Sequence, residues 1–350
     1  MSQSDSAVSQ TFPGTAWKEI KGNDEQALFQ SFAEEIKKLQ QKVAAGGTLE
    51  RGFHNKIHAG LRAEFCVMPD RPEQTRYGVF SEQRTFPALV RFSNGDSFRN
   101  PDSAKEPRGI AIKLIGVPGR KLLPGQEDAV TQDFLATSHS VTSAVRDVSQ
   151  FMDFIRATRH GSWPPVSPVA LFRSLGIRET VRIARVMIKS FATRVRSMIT
   201  EQYSSTAPIK LGPYAVKFVV MRKEGYEGTN SQPASTDDFL HDDLVERLKS
   251  DIVLDFLVQF YVDDVRTPIE DTSVKWDTPL QKVAELRIPK CNPDSLEGIK
   301  LTADVNKLSF SPWHTTEDHR PLGNVMRARR VAYEASSAFR GHEPEPAGML

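Results

Sequence analysis

The stretch LDFLVQFYV, residues 254–262, decides the fold. Leu254, Phe256, Val258, Phe260 and Val262 fall on one side of an extended chain, with Asp255 and Gln259 on the other. Period two is the mark of a half-buried β-strand. Shorter versions recur outward from it. Ala63, Phe65 and Val67 alternate, as do Ile110, Ile112 and Leu114 around Ala111 and Lys113, and Val216, Phe218 and Val220. Residues 88–92 and 283–288 add two more. Six or more strands with few helices between them predict an α+β fold, in which an antiparallel sheet closes or nearly closes into a barrel. Several strands are apolar on both faces, so helices should cover the outside or a ligand fill the inside.

Three segments carry helical spacing instead. Leu28, Phe29, Phe32, Ile36, Leu39 and Val43 predict a helix over 24–45, stopped by Gly46 and Gly47. Residues 164–206 read as helical and basic, with Arg173, Arg178, Arg182, Arg185, Lys189, Arg194 and Arg196. Two readings stand for that segment: a solvated face on helices packed against the barrel, or a surface for anionic lipid or a fatty-acid carboxylate. The third segment is NVMRARRVAYEASSAFR, residues 324–340. At 3.6 residues per turn, Arg329, Tyr333 and Arg340 return to one face, so a phenol is flanked by guanidinium groups where a core helix would be apolar.

Composition narrows the function classes. The 350 residues are 39% hydrophobic and 26% charged with a net charge of +2, which describes a globular chain and gives no nucleic-acid signal. Two cysteines, Cys66 and Cys291, are too few for a disulfide framework or a structural zinc site. No apolar run approaches the ~20 residues of a membrane span. The polar start has no basic and apolar signal pattern, so a cytoplasmic location is expected. Phosphate-loop, nucleophile-elbow and zinc spacings are absent. Residues 1–22 are expected to be loosely ordered, 23–340 to form a single domain and 341–350 to be a disordered tail. Cys66 reads as a small buried hydrophobe, and His314 and His319 as loop scaffolding ahead of the last helix.

Five motifs in order carry chemistry. They are Arg51-Gly52-Phe53-His54, then Val90-Arg91-Phe92-Ser93-Asn94, with Arg91 and Ser93 on one side of a strand. Next comes Glu106-Pro107-Arg108-Gly109-Ile110-Ala111-Ile112-Lys113. Val145-Arg146-Asp147 follows, with Phe151 and Phe154 beyond it, and then the Arg329, Tyr333, Arg340 helix. Together they resemble the haem catalase superfamily, and the length is similar to its short, catalase-related branch. The resemblance runs from about residue 50 to 340 and is weakest across the basic segment.

The resemblance implies a catalase-like antiparallel β-barrel with flanking helices, a haem b cofactor and a peroxide substrate. Tyr333 would be the axial iron ligand as a phenolate, with Arg329 donating to its oxygen. Arg51, Arg91 and Arg340 would hold the haem propionates. His54 would be the distal base, with Ser93 fixing its tautomer. Phe151 would stack on the porphyrin and Phe154 shape the entry. Self-association is a further expectation of the resemblance. One position departs from the pattern. Where catalases have a distal asparagine, an ungapped count gives His139, beside Ser138. His139 reads either as a loop histidine or, with Ser138, as part of a second distal acid/base pair. Thr142-Ser143-Ala144 replace bulky residues. A roomier distal side would suit an organic hydroperoxide, including a fatty-acid or lipid hydroperoxide, better than hydrogen peroxide. Two alternatives to peroxide reduction follow: an allene-oxide-synthase-like rearrangement of lipid hydroperoxides, or non-catalytic haem binding. A barrel that carries lipid and no haem fits poorly with three guanidinium groups.

Overall fold

A computed structural model describes residues 13–44, 51–138, 144–158, 166–192, 195–223, 236–341 and 345–349. In chain order the elements are α1 (Glu25–Ala44), β1 (Ile57–Val67), β2 (Thr85–Asn94), β3 (Arg108–Ile115), β4 (Thr131–Ser138), α2 (Val148–Ala157) and α3 (Pro168–Ala192). They continue with β5 (Tyr203–Ser204), β6 (Ile209–Leu211), β7 (Tyr214–Arg222), α4 (Phe239–Arg247), β8 (Ile252–Phe260), β9 (Leu280–Ile288), α5 (Leu296–Lys307) and α6 (Asn324–Arg340).

The sheet order is β5-β4-β3-β2-β1-β9-β8-β7-β6, and β5 also pairs β7. That pairing closes an eight-stranded antiparallel barrel, with β6 as a hairpin on β7. Closure leaves the ring without free edges. The alternation read from the sequence puts Phe65, Phe218 and Phe256 inside, and β4 adds Phe134. Phe256 lies 5.0 Å from Phe218, 5.1 Å from Phe134 and 5.2 Å from Phe65 between ring centroids. The interior is therefore a packed aromatic core, and a ligand must lie outside it. The strand built on residues 254–262 ends at Phe260, two residues earlier than the alternation reads.

On the outer wall, α1, α2 and α6 share an apolar cluster of Phe29, Phe32, Ile36, Val148, Met152, Ala328 and Ala332. α6 ends at Gly341, whose left-handed φ of 61° and N–H to the Ala338 carbonyl form the stop. Its first turn is held by acids from three distant places. Arg327 ion-pairs Glu19 at 2.7 Å, Glu25 at 2.6 Å and Glu270 at 3.2 Å, and Glu270 also accepts the Asn324 N–H at 2.6 Å. Carboxylates belong at the positive end of a helix dipole.

Three segments make contacts that the sequence does not announce. In residues 13–22, Trp17 donates to the Pro213 carbonyl at 2.9 Å, and Glu19 pairs Arg320 and Arg327. In the tail, Glu345 ion-pairs the buried Lys113 at 2.7 Å. The basic segment is helical only to Ala192; Tyr203 and Ser204 then close the barrel. α3 packs on α2 through Leu171, Ile183, Ala157 and Val166, and Gly176 breaks it with φ 76° and ψ 174°, a region open essentially to glycine.

Candidate active site

β2 turns Val90 and Phe92 into the barrel and Arg91 and Ser93 out toward the helices. β3 lies beside it in register, with Ser93 opposite Gly109 and Arg91 opposite Ala111. The segment before β1 brings His54 over this surface. His54 holds a left-handed φ of 60°, uncommon for a residue with a side chain. Its N–H donates to the Gly95 carbonyl at 3.2 Å and its own carbonyl accepts from Arg91 Nη2 at 2.7 Å. Its Nδ1 lies 3.2 Å from Ser93 Oγ, which leaves Nε2 free of that contact. Burial, and the nearby cations Arg91, Arg329 and Arg51, push the imidazole down to about 3, so it is neutral at physiological pH.

α6 supplies the opposite wall. Arg329 Nη2 donates to the Tyr333 phenol oxygen at 2.8 Å, and its guanidinium carbon lies 5.0 Å from that ring's centroid. Arg340 closes the same face one helix end away. α2 adds Phe151 and Phe154. Phe151 meets Phe32 edge-on at 5.6 Å and Phe53 at 6.3 Å. Asp147 caps α2 by accepting the Gln150 N–H at 3.0 Å, so the Arg-Asp motif is a helix start.

One cavity of about 840 Å³ joins these parts. Arg51, His54, Arg91, Ser93, Ser138, Phe151, Phe154, Arg329, Tyr333 and Arg340 all line it. Ser138 is there with its oxygen engaged: it accepts the Arg108 N–H at 2.9 Å and bonds the Glu201 side chain. His139, Thr142 and Ser143 lie outside the described residues.

The charge balance of the cavity is uneven. Arg51, Arg91 and Arg340 have no carboxylate partner among the described residues. Burial and the other arginines lower Arg51 well below its ordinary range and Arg91 to about 9; burial alone lowers Arg340. Arg51 Nε and Arg340 Nε are buried with no hydrogen-bond partner among the described residues. What they do contact is neutral. Arg51 Nη2 donates to the Asn306 and Leu308 carbonyls at 2.9 and 2.7 Å, and Arg91 holds Asn306 Oδ1 at 3.0 and 3.2 Å. Desolvated cations without counter-charge are costly. Guanidinium forks with spare N–H groups suit carboxylates, so this end fits an acidic ligand, and the volume is at the upper end of the ~300–1,000 Å³ typical of cofactor pockets.

Sequence reading missed two supports. Asn306, in the last turn of α5, aligns both Arg51 and Arg91, yet nothing near it in the chain marks it. Gly109, within the third motif, is the other. A Cβ there would come 2.5 Å from His54 Nδ1 and 3.0 Å from Ser93 Oγ, so the imidazole rests on its bare backbone.

No family model matches the chain. In sequence it is similar to the catalase of Schizosaccharomyces pombe (strain 972 / ATCC 24843), with 23% identity over 308 residues, 81% of this chain and 56% of that one. The chain thus spans little more than half the length of that relative. In structure it resembles a fungal catalase with TM-score 0.64 and 19% identity, over 97% of this chain and 68% of the other. It also resembles a bacterial catalase with TM-score 0.62 and 16% identity, over 95% and 64%. The chain has the fold of these catalases, and in sequence it is similar to one catalase.

Proposed function

From that relationship, we propose that this chain is a haem b-dependent enzyme that activates peroxides. The observation that carries the reading is three cavity arginines with no carboxylate bonded to them among the described residues, beside a phenol already paired with a cation. Arg51, Arg91 and Arg340 would hold the two propionates, which supply the missing negative charge. Tyr333 would ligate the iron, with Arg329 donating to its oxygen. Phe151 would lie against the macrocycle and Phe154 at the entry. Haem bound there supplies the iron centre at which the O–O bond is cleaved.

The protein's own part is proton handling. With Nδ1–H donating to Ser93 Oγ, Nε2 of His54, whose ring lines the cavity, would be the nitrogen that handles the proton. It accepts the proton from one peroxide oxygen and returns it to the other, which leaves as water or an alcohol. Such transfer typically contributes ~10²- to 10⁴-fold. His139, with Ser138, is proposed as an additional distal group.

Hydrogen peroxide and an organic hydroperoxide are both candidate substrates. An organic one, reduced or rearranged, is favoured by the apolar extension of the cavity past Phe154 to Val166, Val186 and Met187.

Haem titration is the first test. Purified protein should bind haem with a high-spin ferric spectrum that is lost in Tyr333→Phe. Protein that stays colourless with added haem ends the reading. A side-by-side assay of oxygen release from hydrogen peroxide and loss of the diene absorbance of a fatty-acid hydroperoxide then identifies the substrate.

A further inference from the structure

α3 has two faces of different character. The inner face buries Leu171 and Ile183 against α2, and Val186 and Met187 reach the cavity wall. The outer face is apolar and cationic together. After the break at Gly176, Ile177 is 70% exposed and Ile188 68%, and before it Phe172 is 51% exposed. Beside Ile177 and Ile188 stand Arg178 and Arg185, exposed and without an ion pair among the described residues, as is Arg173 before the break. The helix holds a single acid, Glu179, and that acid is turned inward, bonded to Arg146 at 3.0 Å and Arg182 at 2.8 Å.

We propose that this outer face of α3 docks on an anionic lipid bilayer. Water penalises exposed isoleucine and phenylalanine, and a bare cationic stripe repels its own kind. A surface of acyl chains beneath phosphate headgroups satisfies both at once, which is how interfacial amphipathic helices bind. Insertion across the membrane is not the mode, because no helix among the described residues is long and apolar enough to cross one. A second copy of the chain is a poor occupant. A two-fold interface would set this face against itself, arginine toward arginine.

The test is vesicle co-sedimentation of the full chain. The protein should pellet with phosphatidylcholine vesicles containing phosphatidylglycerol and stay in solution with phosphatidylcholine alone. Each surface cation contributes about fivefold to partitioning, so Arg178→Glu with Arg185→Glu should weaken binding by at least ~25-fold. Ile177→Ser with Ile188→Ser should weaken it even at low salt, while circular dichroism and haem uptake remain those of the wild type. Failure to pellet with anionic vesicles overturns the proposal, as does equal binding by the variants. A dimer that the serine pair dissolves also overturns it, by assigning the face to a second copy. Pelleting needs no bound haem, so this proposal and the reading of the cavity can fail separately.

Discussion

The imidazole of His54 rests on Gly109: a Cβ at that position would lie 2.5 Å from Nδ1 and 2.6 Å from Cε1. Real Cβ contacts are never so close, and neither obstacle is the end of a flexible side chain. The ring is held by its own left-handed backbone, and Ser93 Oγ lies 3.0 Å from the same Cβ position.

Gly109→Ala should therefore act on turnover before it acts on haem. The alanine displaces both His54 and Ser93, and a misplacement of about 1 Å can cost on the order of 10²-fold in rate. Tyr333 and the arginine cluster lie on other elements, so haem uptake should change less than threefold. Spectrophotometric haem titration beside a peroxide assay reads both. A fully active Gly109→Ala enzyme would remove His54 from the chemistry.

In the role proposed for it, Arg340 would contribute to haem binding at the expense of stability. Its Nε is buried with no partner among the described residues, and burial lowers its guanidinium below the ordinary range. Replacing a desolvated, unpaired cation by a side chain of similar length removes a penalty. In Arg340→Met the haem-free protein should be more stable, by on the order of 1 kcal/mol, and melt at a higher temperature. Haem affinity should fall at least tenfold, since charge-assisted bonds to a carboxylate are lost. Opposite movement of the two measurements is the expected signature. A fall in both would mean that Arg340 has a structural partner.

Buried histidines set the pH dependence of the haem-free fold. Burial pushes His54, His314 and His319 down to about 3 and His58 to about 4. The unfolded chain binds protons near pH 6.5 at these positions while the native chain does not. Each therefore contributes stability that is present above 6.5 and lost as pH falls toward the native value. Two carboxyls work the other way. Burial raises Glu106 and Asp133 to about 7, so they hold protons that the unfolded chain releases above about pH 4, and their contribution fades as pH rises through 7. The histidines outnumber them. Between about pH 4.5 and 6.5 stability should rise with pH by roughly 1–3 kcal/mol per unit. Urea unfolding at half-unit intervals measures the slope, and a flat or falling curve contradicts it.

What the sequence reveals is set by range. α6 runs over the residues 324–340 that helical spacing marks, because an amphipathic face is written every three or four residues. The six alternating strands are found for the same reason. β4 escapes, since its sequence TQDFLATS buries Thr131, Gln132 and Asp133, and buried polar residues erase the alternation. Asp133 can be inside only because Lys113 meets it at 2.7 Å from the next strand. The cavity residues were legible through the resemblance of five motifs, whereas Asn306 belongs to none of them. The anchor of the Tyr333 helix was least legible: Glu19 and Arg327 are 308 residues apart, and no local pattern joins them.

That anchor yields the last expectation. Arg327 is the shared cation for Glu19, Glu25 and Glu270, and the three carboxylates raise its own affinity for the proton. Glu19 and Glu25 are correspondingly lowered by their bonds to Arg327, Arg320 and Asn324, against the opposing effect of burial. Arg327→Met leaves three acids close together and partly buried with one guanidinium too few. Removing one partner of a buried network costs about 3–5 kcal/mol, and Asn324 and Gly323 keep Glu270 and Glu19 near the helix start. The variant should unfold at markedly lower urea, and its loss should shrink below about pH 4, where the acids become neutral. The first turn of α6 should loosen in amide exchange before the barrel strands do. A variant as stable as the wild type at pH 7 would show that the three carboxylates are solvated well enough without Arg327.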